Sequence, residues 1–313
     1  MKTYIFFPDT GSKAGLGHLN RCYKYSDFLN EKKTLFFIKN SFPKKYLNPK
    51  KKYLFYQNIN FLKKNIMSDD KHFFIIDTYD FDTQKIFYKK YSKKLVAILD
   101  FESKFNFRHI IDHTLGRNKH FHQRDKRQKI YAGLKYFPIK KKIKLQKRNI
   151  ILIDFGTVNK SSLIKKALSF LKHVDLDSKY KIIIINKYFS KKNIRNLPFK
   201  KNILIYNHKK NIAAVYKKTF FSIGACGISL YEKSFYGIPS IVVPVAKNQM
   251  YNYKNFFSIN CILKFDKMFK LRKFFKLNNV IFLKKLKKIE YNLKKNFNNK
   301  INSSNVKQIF NAI

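Results

Sequence analysis

The feature that most constrains this chain is an alternation of short, wholly apolar runs with stretches of helical period, played through twice. Tyr4-Ile5-Phe6-Phe7, Thr34-Leu35-Phe36-Phe37-Ile38, Phe73-Phe74-Ile75-Ile76-Asp77 and Leu95-Val96-Ala97-Ile98-Leu99-Asp100 are continuous apolar runs, and Tyr53-Leu54-Phe55-Tyr56 is a weaker one. Leu19 to Leu29 and Thr83 to Tyr91 lie between them and read as helices. A strand that is apolar on both sides must be covered on both faces, and crossover helices between parallel strands do this. The pattern starts afresh at Asn149-Ile150-Ile151-Leu152-Ile153. It continues with a helix from Ser161 to His173 and strands at Lys181 to Asn186, Ile203 to Tyr206 and Phe220 to Ala225. Residues 139 to 148 between the two series are Lys-rich without apolar period and read as a linker. The 313-residue chain is therefore expected to be α/β, with two domains at 1–143 and 144–313. Ligands of such sheets bind at the carboxyl ends of the strands, and Asp9, Asp77 and Asp100 fall at or just past such ends.

The first strand runs into Asp9-Thr10-Gly11-Ser12-Lys13-Ala14-Gly15-Leu16-Gly17-His18-Leu19-Asn20-Arg21, a glycine-rich turn at a strand-to-helix junction. Gly15 and Gly17 are read as the points where the backbone bends and approaches a ligand. The first amides of the following helix are unpaired and make an anion site. His18 stands where the helix begins, next to the positive end of its dipole, as a candidate base. Arg21 lies about one turn further on. A Gly-x-Gly turn alone carries little information, and a dinucleotide-type turn with an incidental histidine fits it too.

The formal charge of +50 points, taken by itself, to a binder of nucleic acid or anionic membranes. The excess is nearly all Lys, spread along the chain, and Phe, Tyr, Ile and Asn are abundant with it. These residues share codons rich in A and T, so base bias in the genome accounts for the composition without a dedicated nucleic-acid partner. Base-reading proteins also favour Arg for bidentate contacts. No apolar run approaches the ~20 residues of a membrane helix, and no signal-peptide pattern opens the sequence. Cys22, Cys226 and Cys261 fit neither a disulfide framework nor a metal site. His120, His122, Arg124 and Arg127 fall in a polar stretch read as an exposed loop with no acidic partner nearby. A cytoplasmic monomer without metal or cofactor is the expectation.

The spacing Asp9-x8-His18 and the run Gly15-Leu16-Gly17-His18-Leu19-Asn20-Arg21 resemble the signature of the UDP-2,4-diacetamido-2,4,6-trideoxy-β-L-altropyranose hydrolases, which serve pseudaminic acid synthesis. Asp77-Thr78-Tyr79 resembles that family's Ile-Asp-x-Tyr segment, in which the Tyr is an active-site residue, so Tyr79 is the candidate here. Asp112 and Asn118 resemble the ends of an Asp-x-x-Leu-x-Asn segment, with Gly116 where Asn is usual. Gly133-Leu134-Lys135-Tyr136 resembles Gly-x-x-Tyr, and Lys140 stands where Arg is common. Phe101 replaces an acid of an Asp-Asp-Glu segment, and Thr157 replaces the last residue of Phe-Gly-Gly.

In the second half, Ala225-Cys226-Gly227-Ile228-Ser229-Leu230-Tyr231-Glu232 leads into Gly237-Ile238-Pro239, a strand, and then Asn248 and Gln249. This order resembles the nucleotide-sugar site of GT-B enzymes. The turn at Gly227 and Ser229 would hold a diphosphate at a helix start, and Glu232 would accept both ribose hydroxyls. Asn248 and Gln249 would close over phosphate or sugar. Cys226 and Ile228 replace residues that are often Gly and Ser.

The resemblance implies two Rossmann-like domains in a GT-B arrangement, with UDP mainly on the second and the sugar in the cleft, facing His18. It implies inverting hydrolysis of the UDP-linked sugar, with His18 as general base and Tyr79 beside it. Asp9, Gly15, Gly17, Arg21, Asp77, Asn118, Tyr136, Gly227, Ser229, Glu232, Asn248 and Gln249 are the expected binding residues. Three rivals stand beside this reading: a GT-B glycosyltransferase with a UDP-sugar donor, a nucleic-acid binder, and a degenerate relative with impaired catalysis.

Overall fold

The structure is a computed structural model and describes residues 2–11, 16–29, 33–58, 71–139, 146–156, 160–174, 180–195, 200–208, 211–297, 300–301 and 303–312. The chain divides into two compact units, Met1–Lys140 with Lys300–Ile313, and Lys141–Asn299.

The first unit runs β1 (Thr3–Pro8), α1 (Gly17–Ser26), β2 (Lys33–Lys39), β3 (Lys52–Tyr56), β4 (His72–Asp77), α2 (Phe81–Tyr91), β5 (Leu95–Ile98), β6 (His109–Asp112) and β7 (Lys129–Ala132). These strands form one sheet in the order β3-β2-β1-β4-β5-β6-β7. Every pairing in it is parallel. The apolar runs explain the two-sided burial directly, because successive side chains of a strand point to opposite faces. Tyr4 and Phe6 of β1 pack with Leu19, Cys22 and Tyr25 of α1, while Ile5 and Phe7 pack with Phe87 and Tyr91 of α2.

The second unit repeats the plan with β8 (Ile150–Asp154), α3 (Ser161–Leu171), β9 (Lys181–Ile185), β10 (Ile203–Tyr206), α4 (Ile212–Tyr216), β11 (Thr219–Ala225), α5 (Ile228–Phe235), β12 (Ser240–Val243), α6 (Met250–Ser258) and β13 (Leu263–Lys264). It ends in α7 (Phe265–Lys270), α8 (Arg272–Leu277) and α9 (Asn279–Phe297). Its sheet has the order β10-β9-β8-β11-β12-β13, again with parallel pairings. Ile151 and Ile153 of β8 face α3 and α9, whereas Ile150 and Leu152 face Val215 and Tyr216 at the end of α4.

Numbered from its own first strand, each sheet begins 3-2-1-4, the order of Rossmann-type sheets. The strand order therefore reverses between β1 and β4 in one unit and between β8 and β11 in the other. Ligands of open α/β sheets bind at such reversals, outside the carboxyl ends of the strands. Both reversals lie where the sequence placed its glycine-rich turns.

A last helix, α10 (Ser303–Asn311), packs in the first unit, where Val306, Ile309 and Phe310 complete the core around Tyr4 and Tyr25. The sequence reading assigned these residues to the second domain. Its Leu19 to Leu29 helix also shifts, since α1 begins at Gly17 and ends at Ser26. Gly17 is the first residue of α1 and is absent from the described positions with positive φ, so it needs no unusual backbone. Gly15 and Thr157 lie outside the described residues. Gly116 does hold a positive φ of 81°, a conformation that Gly and Asn tolerate best, so the family's usual Asn and this Gly suit the same backbone.

Candidate active site

His18 lies in the first turn of α1, and Asp77 is the last residue of β4, paired in register with Pro8 of β1. The β1–β4 reversal thus brings together two residues 59 positions apart. His18 Nδ1 lies 2.5 Å from Asp77 Oδ1. Arg21, one turn along the same helix, donates from Nε to Asp77 Oδ2 at 2.7 Å and from Nη2 to Asp77 Oδ1 at 2.5 Å. Its Nη1 donates to Asp100 Oδ2 at 3.1 Å. Asp77 has no exposed surface, and His18 and Arg21 are buried with it. Burial alone would push the Asp77 carboxyl up, but the Arg21 guanidinium and His18 beside it hold it well below the usual carboxylate range. Burial would likewise lower Arg21, yet Asp77 and Asp100 raise it further.

With Nδ1 committed to Asp77, Nε2 is the ring nitrogen left to take a proton. The ring stands between the positive end of α1 and the Asp77 carboxylate, an acid that the helix-dipole argument from sequence did not include. Tyr79 packs its ring edge-on against His18 at 4.7 Å between centroids. Its hydroxyl donates to Asp100 at 2.8 and 3.0 Å, and its ring also meets Phe101 at 5.0 Å. Tyr79 is exposed, so it lines the open side of the cluster. Asp9 links its own loop to the segment after β4, accepting from the Gly11 amide at 2.9 Å and from the Thr78 hydroxyl at 3.3 Å.

Asn118 and Tyr136 have other local work. Asn118 is exposed and caps a short turn by accepting from the His120 amide at 3.1 Å. Tyr136 packs against Tyr131, and its carbonyl accepts from the Tyr25 hydroxyl at 3.0 Å. The loop after β6 differs from its sequence reading. His122 is buried and its Nε2 lies 2.8 Å from Asp112 Oδ2, an acidic partner supplied by the end of β6. Arg124 meets Glu102, and Arg127 meets Asp125. The three cysteines are buried.

In the second unit, β11 ends at Ala225, and Gly227 is the N-cap residue of α5. Gln249 reaches this turn: its Nε2 lies 3.5 Å from where a Cβ on Gly227 would stand, and its Oε1 accepts from the Val245 amide at 3.0 Å. Asn248, next to it, is exposed. Ser229 is half-buried in the first turn of α5. Glu232, one turn on, is half-buried and accepts from the Tyr216 hydroxyl at 3.1 Å. Nothing in the local sequence marks Lys233, a fully buried lysine on the same helix, or the part Asp100 takes in holding Arg21 and Tyr79.

No family profile matches the chain. Among curated proteins it is similar to one from Helicobacter pylori named pseudaminic acid cytidylyltransferase and UDP-2,4-diacetamido-2,4,6-trideoxy-beta-L-altropyranose hydrolase. The two are 24% identical over 260 residues, which is 79% of this chain and 45% of the relative. The chain thus spans about half the length of that relative. Among solved structures, MurG of Acinetobacter baumannii matches with a TM-score of 0.65 and 11% identity over 100% of both chains. The calicheamicin glycosyltransferase CalG4 matches at 0.62 with 9% identity, over 99% of this chain and 98% of that one. UGT89C1 of Arabidopsis thaliana complexed with UDP matches at 0.60 with 10% identity, over 94% of this chain and 98% of that one. At such identities the likeness shows the fold, which is that of the GT-B glycosyltransferases, with two Rossmann-like units.

Proposed function

We propose that this chain hydrolyses a UDP-linked 2,4-diacetamido-2,4,6-trideoxy sugar to free sugar and UDP, in pseudaminic (nonulosonic) acid synthesis. The observation that carries the reading is the short contact between His18 Nδ1 and the buried Asp77 carboxylate. That contact fixes the imidazole tautomer and orientation with Nε2 as the proton acceptor, the arrangement by which a carboxylate serves a histidine base elsewhere. The name of the Helicobacter pylori relative and the GT-B fold support the same reading.

In the proposed reaction, His18 Nε2 removes a proton from water as the water oxygen attacks the anomeric carbon. The bond between that carbon and the diphosphate oxygen breaks with inversion, and UDP departs with the bonding electrons. UDP is a good leaving group, so the carboxylate pair of ordinary glycoside hydrolases is dispensable. Asp77 stays ionised and stabilises the imidazolium that forms. Asp77, with no exposed surface, is assigned to positioning His18, and Arg21, bonded to both Asp77 and Asp100, to holding that carboxylate in place. Tyr79, open to solvent beside the ring, is assigned to the sugar or the attacking water. The nucleotide is assigned to the second unit, with the diphosphate at Gly227 and Ser229, the ribose at Glu232, and Gln249 against the same turn.

The structural neighbours favour one alternative, a glycosyltransferase that replaces water by an acceptor hydroxyl. Incubation with UDP-2,4-diacetamido-2,4,6-trideoxy-β-L-altropyranose, followed by NMR, separates the two. Free sugar and UDP in equal amounts without acceptor support hydrolysis. Turnover only on addition of an acceptor replaces that reading with the transferase.

A further inference from the structure

Lys233 sits in the last turn of α5 with no exposed surface. Its Nζ is fully buried and has no hydrogen-bond partner among the described residues. A buried ammonium without a partner is unfavourable, and burial here lowers the amine's proton affinity, against the opposing pull of Asp154. Packing gives no reason for it. Leu230, Tyr231, Ser234 and Phe235 already bury this helix, and an unbranched apolar side chain would fill the same space.

The position of the ammonium supplies a reason. Nζ lies 3.5 Å from where a Cβ on Gly224 would stand. Gly224 itself admits no side chain, because that Cβ would fall 2.0 Å from the Asp154 carbonyl oxygen. The ammonium therefore abuts the paired ends of β8 and β11, with the Asp154 carboxylate and the Cys226 thiol as its neighbouring titratable groups. This is the strand-order reversal of the second sheet, where ligands of such folds bind. The amides that open α5 at Gly227 lie one residue beyond Cys226 and favour an anion at the same point.

Resting on the nucleotide reading above, we propose that Lys233 is a further binding residue, whose ammonium is held under the β8–β11 reversal for the diphosphate of the incoming nucleotide. The flexible four-carbon stem and three rotatable donors of a lysine let it turn to the anion when it arrives. Asp154, whose Oδ1 accepts from the Gly156 amide at 2.9 Å, is the charge that competes with the anion for this ammonium.

The test is calorimetric titration of wild type, Lys233→Met and Lys233→Leu with UDP, with uridine and with inorganic pyrophosphate, together with melting temperatures without ligand. UDP affinity should fall about tenfold or more in the variants, the weight of a charged hydrogen bond, while uridine affinity stays unchanged. Without ligand the variants should melt at or above the wild-type temperature, because an unfavourable buried charge has gone. Unchanged UDP affinity overturns the inference. So does a lower melting temperature with equal losses for UDP and uridine, which would make Lys233 a structural residue. If wild type binds no UDP, the nucleotide reading fails by itself. Pyrophosphate then decides separately: binding that is lost in the variants upholds the lysine's role, and equal or absent binding in all three proteins overturns it.

Discussion

Arg21 commits two of its nitrogens to Asp77 and a third to Asp100, so one side chain ties the ends of β4 and β5 to α1. The cluster can then be probed one atom set at a time. His18→Asn removes the proposed base and leaves the scaffold, so hydrolysis should fall roughly 10²–10⁴-fold. UDP affinity should stay the same. Wild-type turnover in that variant would end the base assignment. Tyr79→Phe keeps the ring against His18 and removes only the hydroxyl, so it should cost less. Asp77→Asn has a different signature. It leaves Arg21 buried with half its charge pairing lost, which typically costs about 3–5 kcal/mol. Urea unfolding should show that loss, and kcat should drop with little change in KM if Asp77 acts only through His18. Glu232→Ala should weaken UDP binding by on the order of 1.5–3 kcal/mol, as lost charged hydrogen bonds do. Since Tyr216 donates to Glu232, Tyr216→Phe is the control, and it should leave UDP affinity intact if the carboxylate serves the ribose.

At the scale of elements, the strand ends of β8 and β11 approach so closely that Gly224 is required there. Gly224→Ala places a Cβ 2.0 Å from the Asp154 carbonyl oxygen, so backbone must move. Overpacking of this kind typically costs about 1–3 kcal/mol. Thermal unfolding should report it, and UDP titration should report a weaker site, because the displaced strand ends carry the Gly227 turn. The sequence made the strands themselves legible, since burial on both faces leaves runs such as Phe73 to Asp77 with almost no polar residue. The second unit's glycine turn was legible too, since Gly227 caps a helix at a strand-to-helix junction, whereas Gly17 is an ordinary first residue of a helix. Other features were hidden by distance along the chain. The Asp112–His122 pair forms because the loop after β6 folds back on the strand end, which no local spacing announces. Helix α10 looks like any polar, short amphipathic stretch, and its core contacts with Tyr4 and Tyr25 lie across the whole sequence. Lys233 was hidden by composition, because one more lysine in a chain this rich in lysine draws no notice.

The whole molecule carries 68 Lys and Arg against 18 Asp and Glu, a formal charge of +50. Such self-repulsion disfavours the compact state, and it grows as carboxylates protonate. The described helices include none long and apolar enough to cross a membrane. Against this background, two buried histidines should set the onset of acid unfolding. Burial, with Arg21 nearby, lowers His113 to about 4, and burial with Lys129 and Arg108 lowers His109 to about 4. Each is neutral in the fold over a range where the unfolded chain, at the ordinary value of 6.5, already holds a proton. The unfolded state therefore binds more protons between these values, and stability falls as pH drops from 6.5 towards 4. Below that window the histidines add nothing more, and Asp77 takes over. Its depressed folded-state value means that its stabilising contribution, complete above the unfolded carboxylate range, is lost as pH falls through the value it has in the fold. For His113 the first step is on the order of 3 kcal/mol at most, because each tenfold loss of proton affinity on folding is equivalent to about 1.4 kcal/mol. Urea unfolding of wild type and of the His109→Gln, His113→Gln double variant, repeated across this range, should show a steep fall for the wild type and a much flatter line for the variant. The two lines should run parallel below pH 4, where the remaining loss comes from Asp77 and the other carboxylates. Parallel lines across the whole range would mean that neither histidine is held neutral by the fold.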